Sequence, residues 1–142
     1  MTTTALNVAP ASGKALRIGL WVAQVLAALI FALIGFSKLT TPIPELAAMM
    51  KWPGEYSPAF VRIIGAIDLL GGIGLLLPSA TRILPRLSVL AALGCTVLQV
   101  VAIAFHVSRG EFMVLPLNAV LIALCIFVLW GRAIKAPIAP RS

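Results

Sequence analysis

Charge is what this sequence has least of. Only 11% of its 142 residues are Asp, Glu, Lys or Arg, and 61% are hydrophobic. A soluble domain carries about a quarter charged residues and close to half apolar ones. A chain of this size leaves much of its area outside any core, so the shortage of charge excludes an ordinary water-exposed surface. Acidic residues are rarer still, four against eleven basic ones, for a formal net charge of +7. The basic residues flank apolar runs and form no continuous patch. That excludes a nucleic-acid surface and leaves membrane topology as their role. Histidine occurs once and cysteine twice. One histidine, with Cys95 and Cys125 thirty residues apart, gives no zinc-finger spacing, no bis-histidine haem and no iron–sulfur pattern. No metal site is expected, and no cofactor motif is evident. The cysteines read as buried free thiols acting as small apolar residues. A dithiol is the alternative, with apolar surroundings that slow thiolate attack against it.

Apolar runs fill the chain instead, four of them close to the ~20 residues that cross ~30 Å of hydrocarbon. They predict an all-α membrane protein, a four-transmembrane-helix bundle with helices at about 16–39, 58–77, 85–107 and 112–132. The second opens on Pro58, which suits a first helical position, and stops before Pro78. Residues 1–15 read as a flexible tail into a retained helix, because they lack the basic start of a signal peptide and the apolar run that follows is too long for one. Residues 133–142 read as a loose tail after the single 16–132 domain.

Four spans put both termini on one side. That side carries Lys14, Arg17, Arg82, Arg86, Arg132, Lys135 and Arg141 and no acid. The other carries Lys38, Lys51, Arg62 and Arg109 with Glu45, Glu55 and Glu111. The positive-inside bias predicts cytoplasmic N- and C-termini, in a bacterial inner membrane. Trp21 and Trp130 fall near the inner interface, Trp52 and Tyr56 near the outer one. The outer segment "TPIPELAAMMKWPGEYSP" reads either as a short helix over the mouth of the bundle or as a plain surface loop.

Helices in lipid associate through small and polar residues, so inward faces are legible. Gln24, Ala28, Phe31, Gly35 and Lys38 share a face at three-or-four spacing; so do Gly65, Asp68 and Gly72. Ser88, Ala92, Cys95, Gln99, Ala102 and His106 form a third stripe; Asn118, Cys125 and Arg132 form a fourth. Each polar residue has a bland reading. Lys38 and Arg62 can snorkel to the headgroups. His106 can satisfy the last carbonyls of its helix, Gln99 and Asn118 can be interhelical hydrogen-bond partners, and Arg109 and Glu111 can form a solvated turn. Asp68 resists one: a carboxylate near the midplane costs at least ~2.5–3.5 kcal/mol and pairs, protonates or serves a site. Lys38 or His106 is its expected partner.

The stretches "GFSKL", "RIIGAIDLLGGIGLLLP" and "AFHVSRGE", in this order and at this spacing, resemble the DoxX-like family of small four-helix membrane proteins. The resemblance runs from about Arg17 to Arg132 and places Gly35, Lys38, Arg62, Gly65, Asp68, His106, Arg109 and Glu111 on the family pattern. Asp68 stands where the family often has Glu. The resemblance implies an accessory subunit of a quinone-linked membrane redox or oxidative-stress system. It also admits a non-catalytic assembly factor, chaperone or structural subunit. On the first reading Lys38, Gln99, His106 and Asn118 hydrogen-bond a quinone carbonyl in the outer half of the bundle and Asp68 exchanges protons. The chain is then not an autonomous enzyme. Its partners are the lipid bilayer, a protein of a membrane complex and, on a further reading, a second copy of itself. A small transporter is the weakest reading, since no repeat or broken helix is evident.

Overall fold

A computed structural model describes residues 13–142. Most of the expected N-terminal tail therefore lies outside the described residues. Five α-helices follow one another: α1 (Lys14–Thr40), α2 (Ile43–Met50), α3 (Pro58–Thr81), α4 (Arg86–Ser108) and α5 (Leu115–Trp130). A 3₁₀ turn at Phe112–Val114 leads into α5, and a wider π turn at Gly131–Lys135 ends it. With those turns included, four of the segments are long and apolar enough to cross a membrane. The protein is an integral, multi-pass membrane protein.

The four long helices close into a ring: α1 packs on α3, α3 on α4, α4 on α5, and α5 returns to α1. Their inward stripes are the small and polar residues read from the sequence, with Gln24, Asp68, Ser88, Gln99, Asn118 and Arg132 all buried. Their outward faces are Val22, Leu29, Leu33, Leu70, Leu90 and similar residues, all exposed. Apolar side chains face both ways, and lipid is the environment that suits the outer set. Glycine brings α1 and α3 into backbone contact. A Cβ on Gly35 would lie 2.6 Å from the Gly65 carbonyl oxygen, and one on Gly72 would lie 2.7 Å from that of Ala28.

Two parts differ from the sequence expectation, and a third resolves an alternative that the sequence left open. The second span does not stop before Pro78; α3 runs through it to Thr81. Proline removes one N–H from the helix and weakens the turn before it. Gln24, fully buried on α1, donates from Nε2 to the Leu75 carbonyl at 2.8 Å and to Ser79 Oγ at 3.0 Å. A neighbouring helix thus braces the residues on either side of the proline turn, which helps a membrane helix carry proline. Second, the tail at 133–142 is docked, not loose. Arg82, in the α3–α4 turn, donates to the Ala139 and Pro140 carbonyls and accepts at its own carbonyl from Arg141 N–H at 2.8 Å. Third, the loop-or-helix alternative for the 40–57 connection resolves as a helix. α2 lies across the end of the bundle away from the termini, and its Leu46 packs with Trp52 and Val61.

Candidate functional site

The site grows from the α1–α3 contact. Gly65 has no side chain, so the stem of Lys38 passes over it; a Cβ there would meet Lys38 Cβ at 2.7 Å. One turn further along α3 stands Asp68, 4% exposed. Lys38 Nζ reaches its Oδ2 at 2.6 Å. Lys38 therefore points inward and does not snorkel. Arg62 does not snorkel either. Its Nη1 donates to the carbonyls of Lys38 and Thr41, capping the end of α1 that carries the lysine. Trp52 covers the pair from outside, with its ring centroid 5.6 Å from Nζ, near enough for a cation–π attraction.

Across the bundle Asn118 Nδ2 donates to Gln99 Oε1 at 2.7 Å, both residues buried. His106 was one of two expected partners for Asp68, and the structure gives it a different one. Its Nδ1 lies 2.7 Å from Glu111 Oε2. An ionised carboxylate only accepts, so Nδ1 carries the proton and, in the neutral ring, Nε2 is the acceptor. Arg109 Nε donates to Glu111 Oε1 at 2.7 Å, and its Nη2 pairs with Glu55 from the connection before α3. Arg109 and Glu111 are thus no plain solvated turn. They form a clasp joining the α4–α5 turn to the α2–α3 connection. Burial pushes the Glu111 carboxyl up, but hydrogen bonds from His106 and Arg109 and the guanidinium charge outweigh it and hold it below the usual carboxylate range. The same pairing, with Glu111 first and Glu55 second, raises Arg109 further above its ordinary value.

Between these groups lies a cavity of about 250 Å³. Lys38, Asp68, Gln99, His106 and Asn118 all line it, from all four long helices. Its other walls are mainly apolar, among them Phe31, Ile64, Phe105 and Leu121, with Trp52 over Lys38. Val101 and Leu117 line it too and are themselves exposed, so the cavity shares a wall with the lipid-facing surface. Gly35, Arg62, Gly65, Arg109 and Glu111 do not line it; the first three shape the α1–α3 contact beneath Lys38 and the last two clasp its rim. Sequence reasoning placed Trp52 at the interface and gave it no part in the site, and it passed over Phe60 and Phe105. These aromatics stack edge-on around Trp52. For Trp52 the one signal was its place beside Met49 and Met50 in the outer segment; Phe60 and Phe105 gave none.

The arrangement offers a mostly apolar cavity with an ammonium and two amides as donors and a carboxylate and an imidazole as proton-handling groups. Among the described residues no three His, Cys, Asp or Glu side chains cluster as metal ligands would. A family model described as DoxX-like matches residues 22–128. No curated protein and no solved structure matches the chain.

Proposed function

The chain belongs to the DoxX-like family, and on that premise we propose that it is an accessory membrane subunit whose cavity takes the ring of a quinone. The observation that carries this reading is the convergence of Lys38, Asp68, Gln99, His106 and Asn118 on one mostly apolar cavity. Pockets for drug-sized ligands run to ~300–1,000 Å³. At about 250 Å³ this one suits a single substituted ring, with a tail leaving past Val101 and Leu117 into lipid. The donor set also fits. Lys38 Nζ or the Asn118 amide donates to a ring carbonyl, and Asp68 and His106 hold and move protons beside it. A quinone supplies the capacity to accept two electrons and two protons. The sequence carries no haem or iron–sulfur motif, so a partner subunit is the natural electron source. The uniformly basic terminal end supports cytoplasmic termini in a bacterial inner membrane.

A second reading, an assembly factor, draws on one observation. Met49, Phe112 and Met113 are exposed at the clasp end, 64%, 62% and 95% respectively, where a membrane protein partner can dock.

Quinone binding is measured on the full chain in lipid nanodiscs by quenching of Trp52 fluorescence with a short-chain ubiquinone analogue. Saturable quenching is expected, lost in Trp52→Phe. Lys38→Met should weaken binding about tenfold, the equivalent of ~1.4 kcal/mol. Absence of saturable binding by wild type overturns the reading.

A further inference from the structure

At the end of the bundle that carries the termini, one buried charge has no partner of opposite sign. Arg132 is 5% exposed and sits ~5 Å inside the end of the fourth span, which closes at Lys135. The chain's four acids are Glu45, Glu55, Asp68 and Glu111. The three glutamates belong to the opposite end, and Asp68 is paired with Lys38. Neutral groups hold Arg132 instead. Its Nε donates to Gln24 Oε1 at 2.6 Å and its Nη1 to the Ala136 carbonyl at 3.1 Å. Gln24 is itself fixed through its Nε2 by Leu75 and Ser79, so the guanidinium is firmly oriented. Nη2 is buried and has no hydrogen-bond partner among the described residues. Ser88 Oγ shares that condition, on α4, which packs against the Gly131–Lys135 turn. A charge taken out of water needs an opposite charge or a full set of hydrogen bonds, and Arg132 has neither. Trp21 marks the outside of this place. Its ring centroid is 4.9 Å from the Arg132 guanidinium carbon. The same ring begins a shallow groove on the lipid-facing side of α1, lined by Trp21, Val22, Val25, Leu26 and Leu29, all exposed. From Trp21 to Leu29 the groove runs ~12 Å toward the middle of the bilayer.

We propose that Arg132 binds the phosphate of an anionic phospholipid from the leaflet on the terminal side, with one acyl chain lying in the groove below Trp21. An unpaired cation at headgroup depth supplies the polar half of such a site, and the groove supplies the apolar half. Nη1 and Nη2 present side-by-side N–H bonds that match two phosphate oxygens. Nη2 has no partner to lose and Nη1 has one backbone carbonyl, so the phosphate displaces only the carbonyl of Ala136 and engages both. The tail beyond Ala136 keeps its own anchor, because Arg82 holds it at Ala139 and Pro140. Free phosphate offers the same oxygens but nothing to fill the groove, which makes a lipid the assigned source. The site is separate from the cavity and stands without the quinone reading.

The test compares the full chain in nanodiscs of phosphatidylcholine alone with the same chain in nanodiscs that also contain phosphatidylglycerol. Native mass spectrometry reads the lipid retained on the ejected chain, and thermal unfolding is followed in both discs. One phosphatidylglycerol per chain is expected, preferred over phosphatidylcholine about tenfold, with a higher melting temperature in the mixed discs. Arg132→Met should abolish the preference. Arg86→Met, which removes an exposed charge at the same end, should keep most of it. Val25→Trp fills the groove, touches none of the Arg132 hydrogen bonds, and should cut retention as well. Inorganic phosphate added to the phosphatidylcholine discs should not raise the melting temperature. A rise equal to that from phosphatidylglycerol, unchanged in Val25→Trp, means a free-anion site and overturns the lipid assignment. Wild type that retains both lipids equally, or an Arg132→Met chain that keeps the preference, overturns the proposal. Should Arg132→Met fail to fold, wild type and Val25→Trp decide it, since full retention by Val25→Trp also overturns it.

Discussion

At the scale of single residues, the Lys38–Asp68 pair dominates. Two opposite charges 2.6 Å apart inside a bundle hold each other in place, and removing one strands the other. Asp68→Asn should therefore cost about 3–5 kcal/mol, as breaking buried pairs does. The double variant Lys38→Met with Asp68→Asn should recover most of that loss. Thermal unfolding in one detergent gives the double-mutant cycle, and additive losses would mean the two side chains do not act together. Glu111 makes a pH-dependent contribution. Its carboxyl titrates lower in the fold than in the unfolded chain. Its stabilisation is thus full above the unfolded value of about 4.3 and is lost as pH falls through the lower folded value. Glu111→Gln should melt below wild type at neutral pH, and the gap should close in acid. A gap independent of pH would contradict the clasp. The inward orientation of Lys38 was legible in the sequence because it follows from helical spacing within one stripe; the choice between Lys38 and His106 as the partner of Asp68 was not, because it depends on how the helices dock. The clasp was not, because Arg109 meets Glu55 from 54 positions away. No local pattern joins those two.

Among elements, the α1–α3 contact decides whether Lys38 reaches Asp68. Gly35 and Gly65 leave no room for a Cβ, whereas Gly94 has no atom within 4 Å of where one would go. Gly65→Val should force the two helices apart and abolish a folded species on size exclusion. Gly94→Ala should be neutral or stabilise by up to about 1 kcal/mol through helix propensity. Equal effects from the two would contradict the packing. Span positions were legible because hydrocarbon thickness sets them. The course of α3 past Pro78 was not, because the rule that proline ends a helix assumes that no neighbour braces the turn. Gln24 had been placed on the inward stripe, but its match to Leu75 and Ser79 needs the helices docked. The docked tail escaped for a similar reason, since Arg82 recognises backbone carbonyls of residues 139 and 140, which any sequence presents.

Across the whole molecule, charge and polarity are sorted along the bundle axis. The terminal end is basic without a single acid, and the opposite end carries the cavity, its aromatic cover and the clasp. A reporter fused to the C-terminus should be active in the cytoplasm; activity only outside would reverse the orientation and place the cavity in the inner leaflet. The five polar residues that meet at the cavity were visible as stripes, but stripes do not show a void. The cavity's volume comes from how α1, α3, α4 and α5 close around Phe31 and Leu121 beneath Trp52. The central claim is that this void holds a quinone ring, and native mass spectrometry of the chain ejected from its own membrane tests it most directly. One quinone per chain is predicted for wild type, with occupancy falling sharply when Lys38→Met and Asn118→Leu are combined. A wild-type chain that flies free of any quinone, or a double variant that keeps full occupancy, would contradict it.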